Sequence, residues 1–353
     1  MIDIQSIAIY LGLASLSFII AKYAELHNSK KAVWMIVILL SLIAGLRSIS
    51  VGIDTKTYDM VFSLVSKGYV EEMYGLEESF IYICAALLRI WDNNQFLLFL
   101  FAFSSHGLIV FRLWKDREYI AFRWSVFSYY ILFYTFSLNG IRQFVAVAII
   151  IHATDYVRDG KYGKYLIFIV IASFFHTSAL IGIAYVLFEF LFTYFFSNKR
   201  KLSVFVFFIT SLIISVLAAD KLLGQYGIYL ETRAESVGIM MIAKLIMLFA
   251  TIIILKNQAR VDYQYIYSSY KWYYFVGLAL NSLNYLFMYA GRIGLYFYVF
   301  EPFFLGYVFK AKNYTVWVLL LKFGYAVLLM YYLYQNLTSN AQGELPYRFF
   351  WQS

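Results

Sequence analysis

Three arginines share a local pattern that suits anion binding. Gly45-Leu46-Arg47, Gly140-Ile141-Arg142 and Gly291-Arg292 each set a glycine one or two residues ahead of a guanidinium, at the end of an apolar run. A guanidinium fork grips two phosphate or carboxylate oxygens together. The missing side chain beside it leaves room for a ligand or for a close-packed backbone. Arginine at membrane depth costs about 2.5–3.5 kcal/mol, so such residues pair with acids or line polar cavities. For any single arginine, snorkelling to headgroup phosphates competes equally. Three with the same neighbour point to an anionic ligand, a pyrophosphate, at a membrane–water boundary.

Proton-handling groups lie near the same run ends. Asp54, in Val51-Gly52-Ile53-Asp54-Thr55, suits either a helix N-cap or direct chemistry, because Tyr58, Val61, Phe62 and Val65 follow at helical spacing. Glu77 precedes a short apolar run and could serve as a helix-start carboxylate. His176 interrupts an apolar stretch between Phe175 and Thr177, where a hinge is expected and a functional role is slightly favoured over packing. His106 and His152 fall inside apolar runs and read as core, and His27 lies in a loop. The single cysteine, Cys84, excludes an internal disulfide and a Cys-based metal site.

The elements that must hold these groups are membrane helices. Of 353 residues 63% are hydrophobic and only 14% charged, with mean hydropathy +0.71. Soluble domains run near ~45–50% apolar and ~25% charged, so that class is excluded. Continuous apolar runs, lacking period-two alternation, exclude a transmembrane barrel. The runs fall at about 4–21, 32–46, 95–111, 119–138, 143–157, 165–175, 177–196, 202–219, 239–255, 272–290, 293–309 and 315–334. The first has no basic leader or cleavage site and is expected to stay as a helix. The run 79–91 is too short to cross a hydrocarbon core of roughly 30 Å and is expected to be re-entrant or interfacial. The expected fold is an all-α polytopic helical bundle, one transmembrane domain over 1–353, with about twelve crossings.

Charge sorts the loops. With both termini outside and 79–91 not crossing, 18 of the 29 lysines and arginines fall on the cytoplasmic side, including Lys30, Lys31, Arg117, Arg123, Arg158 and Lys310. Nine fall outside, Lys244 among them. The positive-inside rule favours this arrangement and explains the net charge of +9 without nucleic acid. Segment 47–78 becomes the main outer loop, and the three arginines share its face. Tyrosine and phenylalanine, 34 and 35 residues, are expected mostly in lipid-facing belts and helix packing. No P-loop, dinucleotide fingerprint, zinc-spaced His/Cys set or Asp-x-Asp pair occurs, so no cofactor and no metal are expected.

Six strings in order resemble the EpsG family of exopolysaccharide polymerases, relatives of the Wzy O-antigen and capsule polymerases. They are Gly45-Leu46-Arg47 with Val51 to Tyr58; Glu77 three residues before Phe80, with Ser79 where the family usually has glycine; and Asn139-Gly140-Ile141-Arg142-Gln143. Phe174 to Ile181, Arg292-Ile293 with Tyr296-Phe297, and Leu345-Pro346-Tyr347-Arg348 complete the order. The resemblance implies a membrane glycosyltransferase joining polyprenyl-pyrophosphate-linked oligosaccharide repeats into O-antigen, capsule or exopolysaccharide. It would work in the cytoplasmic (inner) membrane with its site facing the periplasm or exterior. Arg47, Arg142 and Arg292 would hold pyrophosphate, and Asp54, Glu77 or His176 would act as base or position the acceptor. Tyr58, Gln143, Tyr296 and Tyr347 are secondary candidates. The implied partners are the lipid-linked donor and acceptor, the bilayer, a chain-length regulator and a flippase. The alternatives are a lipid-linked oligosaccharide flippase, an O-antigen ligase and a membrane O-acyltransferase. A flippase should show repeated halves, which the sequence lacks, and an acyltransferase needs a donor route from the cytoplasmic side.

Overall fold

Polar residues start and stop the helices where the apolar runs end. A computed structural model describes residues 3–69, 76–195, 239–255, 264–283, 288–311 and 315–352. Helix α1 (Ile4–His27) begins where Asp3 accepts the Gln5 N–H at 3.2 Å and ends at Asn28 in the left-handed conformation, φ 48°. Ser29 then accepts the Ala32 N–H at 3.3 Å and starts α2 (Lys30–Gly45). The outer segment holds α3 (Thr55–Ser66) and α4 (Glu78–Leu88). Then come α5 (Asn94–Lys115), α6 (Phe122–Asn139), α7 (Ile141–Arg158) and α8 (Tyr162–Ser173). A 3-10 turn, η1 (Thr177–Gly182), leads into α9 (Ile183–Phe195). Next are α10 (Ile239–Ile254), α11 (Gln264–Ser282), α12 (Met288–Tyr298), α13 (Glu301–Lys310) and α14 (Val316–Ser339).

This is a helical membrane bundle. Among the described residues three helices, α1, α5 and α14, are individually long and apolar enough to cross a membrane. Length and composition alone do not establish the expected count of about twelve, because several of the described runs are shorter or broken. The run 293–309, expected as one crossing, divides at Val299-Phe300 into α12 and α13, with Pro302 inside the first turn of the second. The 165–175 and 177–196 runs become α8, η1 and α9, with the break at His176. Helix α4 has 11 residues and, at 1.5 Å per residue, spans roughly 16 Å, in keeping with a segment that does not cross. The run 202–219 lies outside the described residues.

Residues at the helix ends join at two ends of the bundle. At one end Arg117 Nε donates to Asn28 Oδ1 at 3.2 Å and Lys310 Nζ donates to the Arg117 carbonyl at 3.0 Å. Arg112, in the last turn of α5, pairs there with Asp155 and with Asp116. At the other end Asn139 Nδ2 donates to the Gln342 carbonyl at 2.8 Å, and Tyr10 donates to the Glu344 carbonyl at 3.2 Å.

Helix α7 is buried on nearly every side, including Ala146, Val147, Ala148, Ile150 and Ile151, as expected of a central helix apolar all round. Helix α14 instead exposes Trp317, Leu320, Phe323 and Val327, a lipid-facing stripe. Close crossings need small residues. A Cβ on Gly45 would stand 2.5 Å from the Phe99 Cα, so glycine sets how closely α2 approaches α5. Much of the tyrosine works inside the bundle. Tyr10, Tyr129, Tyr134, Tyr165, Tyr185 and Tyr274 are fully buried, and Tyr134 donates to the Leu40 carbonyl at 3.1 Å. A buried hydroxyl must find such an acceptor.

One ion pair lies deep in the bundle. Lys244, counted on the outer side from sequence, sits inside α10 and donates to Glu301 Oε2 at 2.8 Å, both side chains nearly inaccessible. Tyr274 donates to the other Glu301 oxygen at 3.1 Å. The pair clamps α10 to the first turn of α13, immediately after the break at Val299-Phe300.

Candidate active site

Helices α3, α4, α7 and α12 meet η1 at the end of the bundle that charge assigns to the outside. Glu77 precedes α4 but makes no side-chain cap there. Its Oε2 pairs with Arg142 Nη1, while its Oε1 accepts the Thr177 N–H at 2.9 Å and the Thr177 hydroxyl at 3.3 Å. Both oxygens are therefore engaged, and the carboxylate aims the guanidinium. Arg142 is held from two further sides: Nε donates to the Tyr58 hydroxyl at 3.4 Å, and the Phe80 ring lies 5.6 Å from its Cζ.

His176 follows the end of α8 and caps η1. Its Nδ1 accepts the Ser178 N–H at 3.2 Å and lies 2.8 Å from the Ser178 hydroxyl, which is 3.0 Å from the Tyr296 hydroxyl. A backbone N–H can only donate, so Nδ1 is the acceptor and the neutral ring carries its proton on Nε2. Burial, chiefly, lowers the imidazole below the ordinary histidine value. Glu77 opposes this and the charges of Arg142 and Arg292 add to it. His176 is thus a neutral Nε2–H donor, which suits a phosphate oxygen better than a base role. Burial also raises Tyr58, an effect that Arg142 offsets in part.

Arg292 enters from α12. Its carbonyl accepts from Gln143 Nε2 at 2.7 Å, which latches α12 to α7 beside Arg142. Tyr296, one turn further along α12, reaches Ser178 and so sets the same face of the helix against η1. Its own carbonyl accepts from the buried Tyr185 hydroxyl at 2.5 Å. The structure therefore brings Glu77, Arg142, His176, Tyr58, Gln143, Arg292 and Tyr296 together.

Two expected residues have another use. Arg47 is 1% exposed. Its Nε donates to Thr55 Oγ1 at 3.2 Å, Nη2 to the Leu138 carbonyl at 2.8 Å, and Nη1 to the Ala44 carbonyl. With Nε on a threonine hydroxyl and both terminal nitrogens on backbone carbonyls, it ties the outer segment to the ends of α2 and α6, a structural use that differs from the pyrophosphate grip expected of it. Tyr347 is likewise buried, its hydroxyl donating to the Ile43 carbonyl at 2.7 Å. Asp54 occupies the N-cap position of α3 without a capping hydrogen bond, and it is exposed. Gly52, at φ +93°, turns the chain into it, and a Cβ there would meet Asn139 Oδ1 at 2.8 Å.

Thr177, Ser178 and Phe80 lay inside the quoted strings without an assigned role. Glu301 was no candidate and Lys244 only a counted outer charge, although a charge within an apolar run is itself a signal. Among the described residues, no three His, Cys, Asp or Glu side chains converge as a metal-ligand group.

Arg142, Arg292, His176 and Glu77 thus gather at one end of a helical membrane bundle. The family model of the EpsG family matches residues 31–349, nearly the whole chain. The chain belongs to the EpsG family. No curated protein and no solved structure matches it.

Proposed function

We propose that this protein is a membrane glycosyltransferase that polymerises oligosaccharide repeats carried on a polyprenyl pyrophosphate, at the outer face of the cytoplasmic membrane. The observation that carries this reading is the joint placement of Arg142, Arg292 and the His176 Nε2–H around one junction, with Glu77 fixing the first. Membership in the EpsG family supports an exopolysaccharide polymerase role.

In the reaction a sugar hydroxyl of one lipid-linked chain bonds to the anomeric carbon of the other. The bond from that carbon to the pyrophosphate oxygen breaks, and its electron pair leaves with the lipid pyrophosphate. Arg142 and Arg292 offset the growing charge, and His176 donates through Nε2; preorganised donors of this kind need no reorganisation as charge develops. The hydroxyl proton needs a carboxylate within hydrogen-bond reach. Both Glu77 oxygens are committed, so Asp54 is the base in this reading. Its charge reaches Tyr58, which it makes harder to ionise.

Purified protein supplied with a polyprenyl-pyrophosphate-linked repeat should build a ladder of products on a gel, with or without EDTA. A single transfer to a different acceptor would mark a ligase. Folded protein that gives no ladder would overturn the proposal.

A further inference from the structure

The opposite end of the bundle carries a second cationic site, far in the fold from the junction above. A cavity of about 520 Å³ opens between the ends of α1, α6, α13 and α14, lined among others by Glu25, Arg123, Lys310 and Lys322. Lys310 Nζ donates to the Arg117 carbonyl at 3.0 Å and Lys322 Nζ donates to the Ala311 carbonyl at 2.7 Å. Each ammonium has three N–H groups, and among the described residues neither lysine takes part in an ion pair. Arg123 lies 3.6 Å from Glu25, the only acid among the described lining residues. Among the described residues the cavity therefore holds three cations against one carboxylate.

Its other walls are apolar. Trp124 and Phe309 stack with centroids 4.2 Å apart and planes 9° from parallel. Phe323, from the lipid-facing stripe of α14, borders the opening and is 69% exposed. Lys322 lies six residues past Val316, so a charge sits roughly 9 Å inside an apolar helix. Snorkelling would carry its head outward to the interface. The head does so here, donating to the Ala311 carbonyl just outside the start of α14, at the rim of the cavity.

We infer that this cavity binds a phosphodiester anion, the headgroup of an anionic phospholipid in the cytoplasmic leaflet. Charge complementarity selects a phosphate, and basic pockets between membrane helices on this side are suited to such headgroups. The exposed aromatic border continuous with the lipid-facing helix selects a lipid over a soluble anion, because an acyl chain can lie along Phe323 while the phosphate meets Lys310, Lys322 and Arg123. The site is independent of the polymerase reading.

The test is native mass spectrometry of the full-length protein in detergent, titrated with phosphatidylglycerol, with phosphatidylcholine, and with phosphatidylglycerol plus inorganic phosphate. Bound phosphatidylglycerol should exceed phosphatidylcholine about tenfold, equivalent to ~1.4 kcal/mol, and millimolar inorganic phosphate should not displace it. The Lys310→Gln/Lys322→Gln pair should abolish the preference, the Lys310→Arg/Lys322→Arg pair should keep it, and Lys161→Gln, an exposed charge elsewhere on this end, should leave it unchanged. Equal binding of both lipids, or an unchanged preference in the double glutamine variant, would overturn the inference. So would displacement by inorganic phosphate, which would identify a soluble-anion site instead.

Discussion

Glu77 Oε1 accepts the backbone N–H of Thr177 at 2.9 Å across 100 residues of chain, while its other oxygen pairs with Arg142. One carboxylate thereby orients both the guanidinium and the His176 turn. Glu77→Gln keeps the shape and removes the charge. A charge-assisted hydrogen bond contributes about 1.5–3 kcal/mol, and every ~1.4 kcal/mol is tenfold in rate. Polymer yield per folded molecule should fall roughly tenfold to a hundredfold, measured on a lipid-linked repeat; an unchanged yield would remove Glu77 from the site.

The protonation state of His176 predicts a pH profile. Its folded value lies below the ordinary histidine value of 6.5, because burial and the charges of Arg142 and Arg292 outweigh Glu77. The neutral ring dominates at pH 7, and a proton added at Nδ1 as pH falls would break the contact with the Ser178 N–H and turn the Ser178 hydroxyl from donor to acceptor. Activity should therefore hold down to about pH 6.5 and decline only below it. His176→Gln, which keeps a donor, should be slower and lack that component of the acid limb. An acid limb centred above the ordinary histidine value, or one identical in the variant, would contradict the assignment.

The membrane class was legible in the sequence because charge and apolar run length are local signals, and most of the residues that meet at η1 lie in strings that the sequence singles out. Arg47 shows the limit of that legibility. Its neighbours are those of Arg142, yet its forks close on the Ala44 and Leu138 carbonyls, and Leu138 comes from a helix that sequence spacing cannot place. The break at Val299-Phe300 was hidden for a similar reason: Glu301 is tolerable inside an apolar run only because Lys244, from another helix, meets it. Partners distant in sequence decide both cases.

Arg47→Lys should lose stability rather than chemistry. A lysine cannot span Thr55 Oγ1 and two carbonyls, so at least one buried acceptor is left unmatched, at about 1–3 kcal/mol. The expected outcome is a lower unfolding temperature in detergent, with activity per folded molecule largely kept. Selective loss of activity in a protein of normal stability would restore Arg47 to the binding site.

The Lys244–Glu301 pair tests the broken helix. Lys244→Met alone leaves the Glu301 charge unpaired in the bundle, and breaking such a pair costs about 3–5 kcal/mol. Lys244→Met with Glu301→Gln removes both charges and keeps an acceptor for Tyr274, which donates to Glu301 at 3.1 Å. Thermal unfolding should show the single variant markedly destabilised and the double variant mostly recovered. A double variant as unstable as the single one would show that the pair does not act as a unit.

The central claim is that Arg142 and Arg292 grip the pyrophosphate. Lysine at position 142 can still meet Glu77, so the junction should fold, but it has no planar fork. The deciding measurement is initial polymer yield from a polyprenyl-pyrophosphate-linked repeat, normalised to folded protein in the membrane, for Arg142→Lys, Arg292→Lys and Arg158→Lys. Arg158 sits at the other end of α7, where it pairs with Asp155 at 2.7 Å, and its lysine variant should be nearly silent. The account predicts a loss of roughly tenfold to a hundredfold in each of the first two. Near-normal yield from both would contradict it and leave these arginines as structural charges.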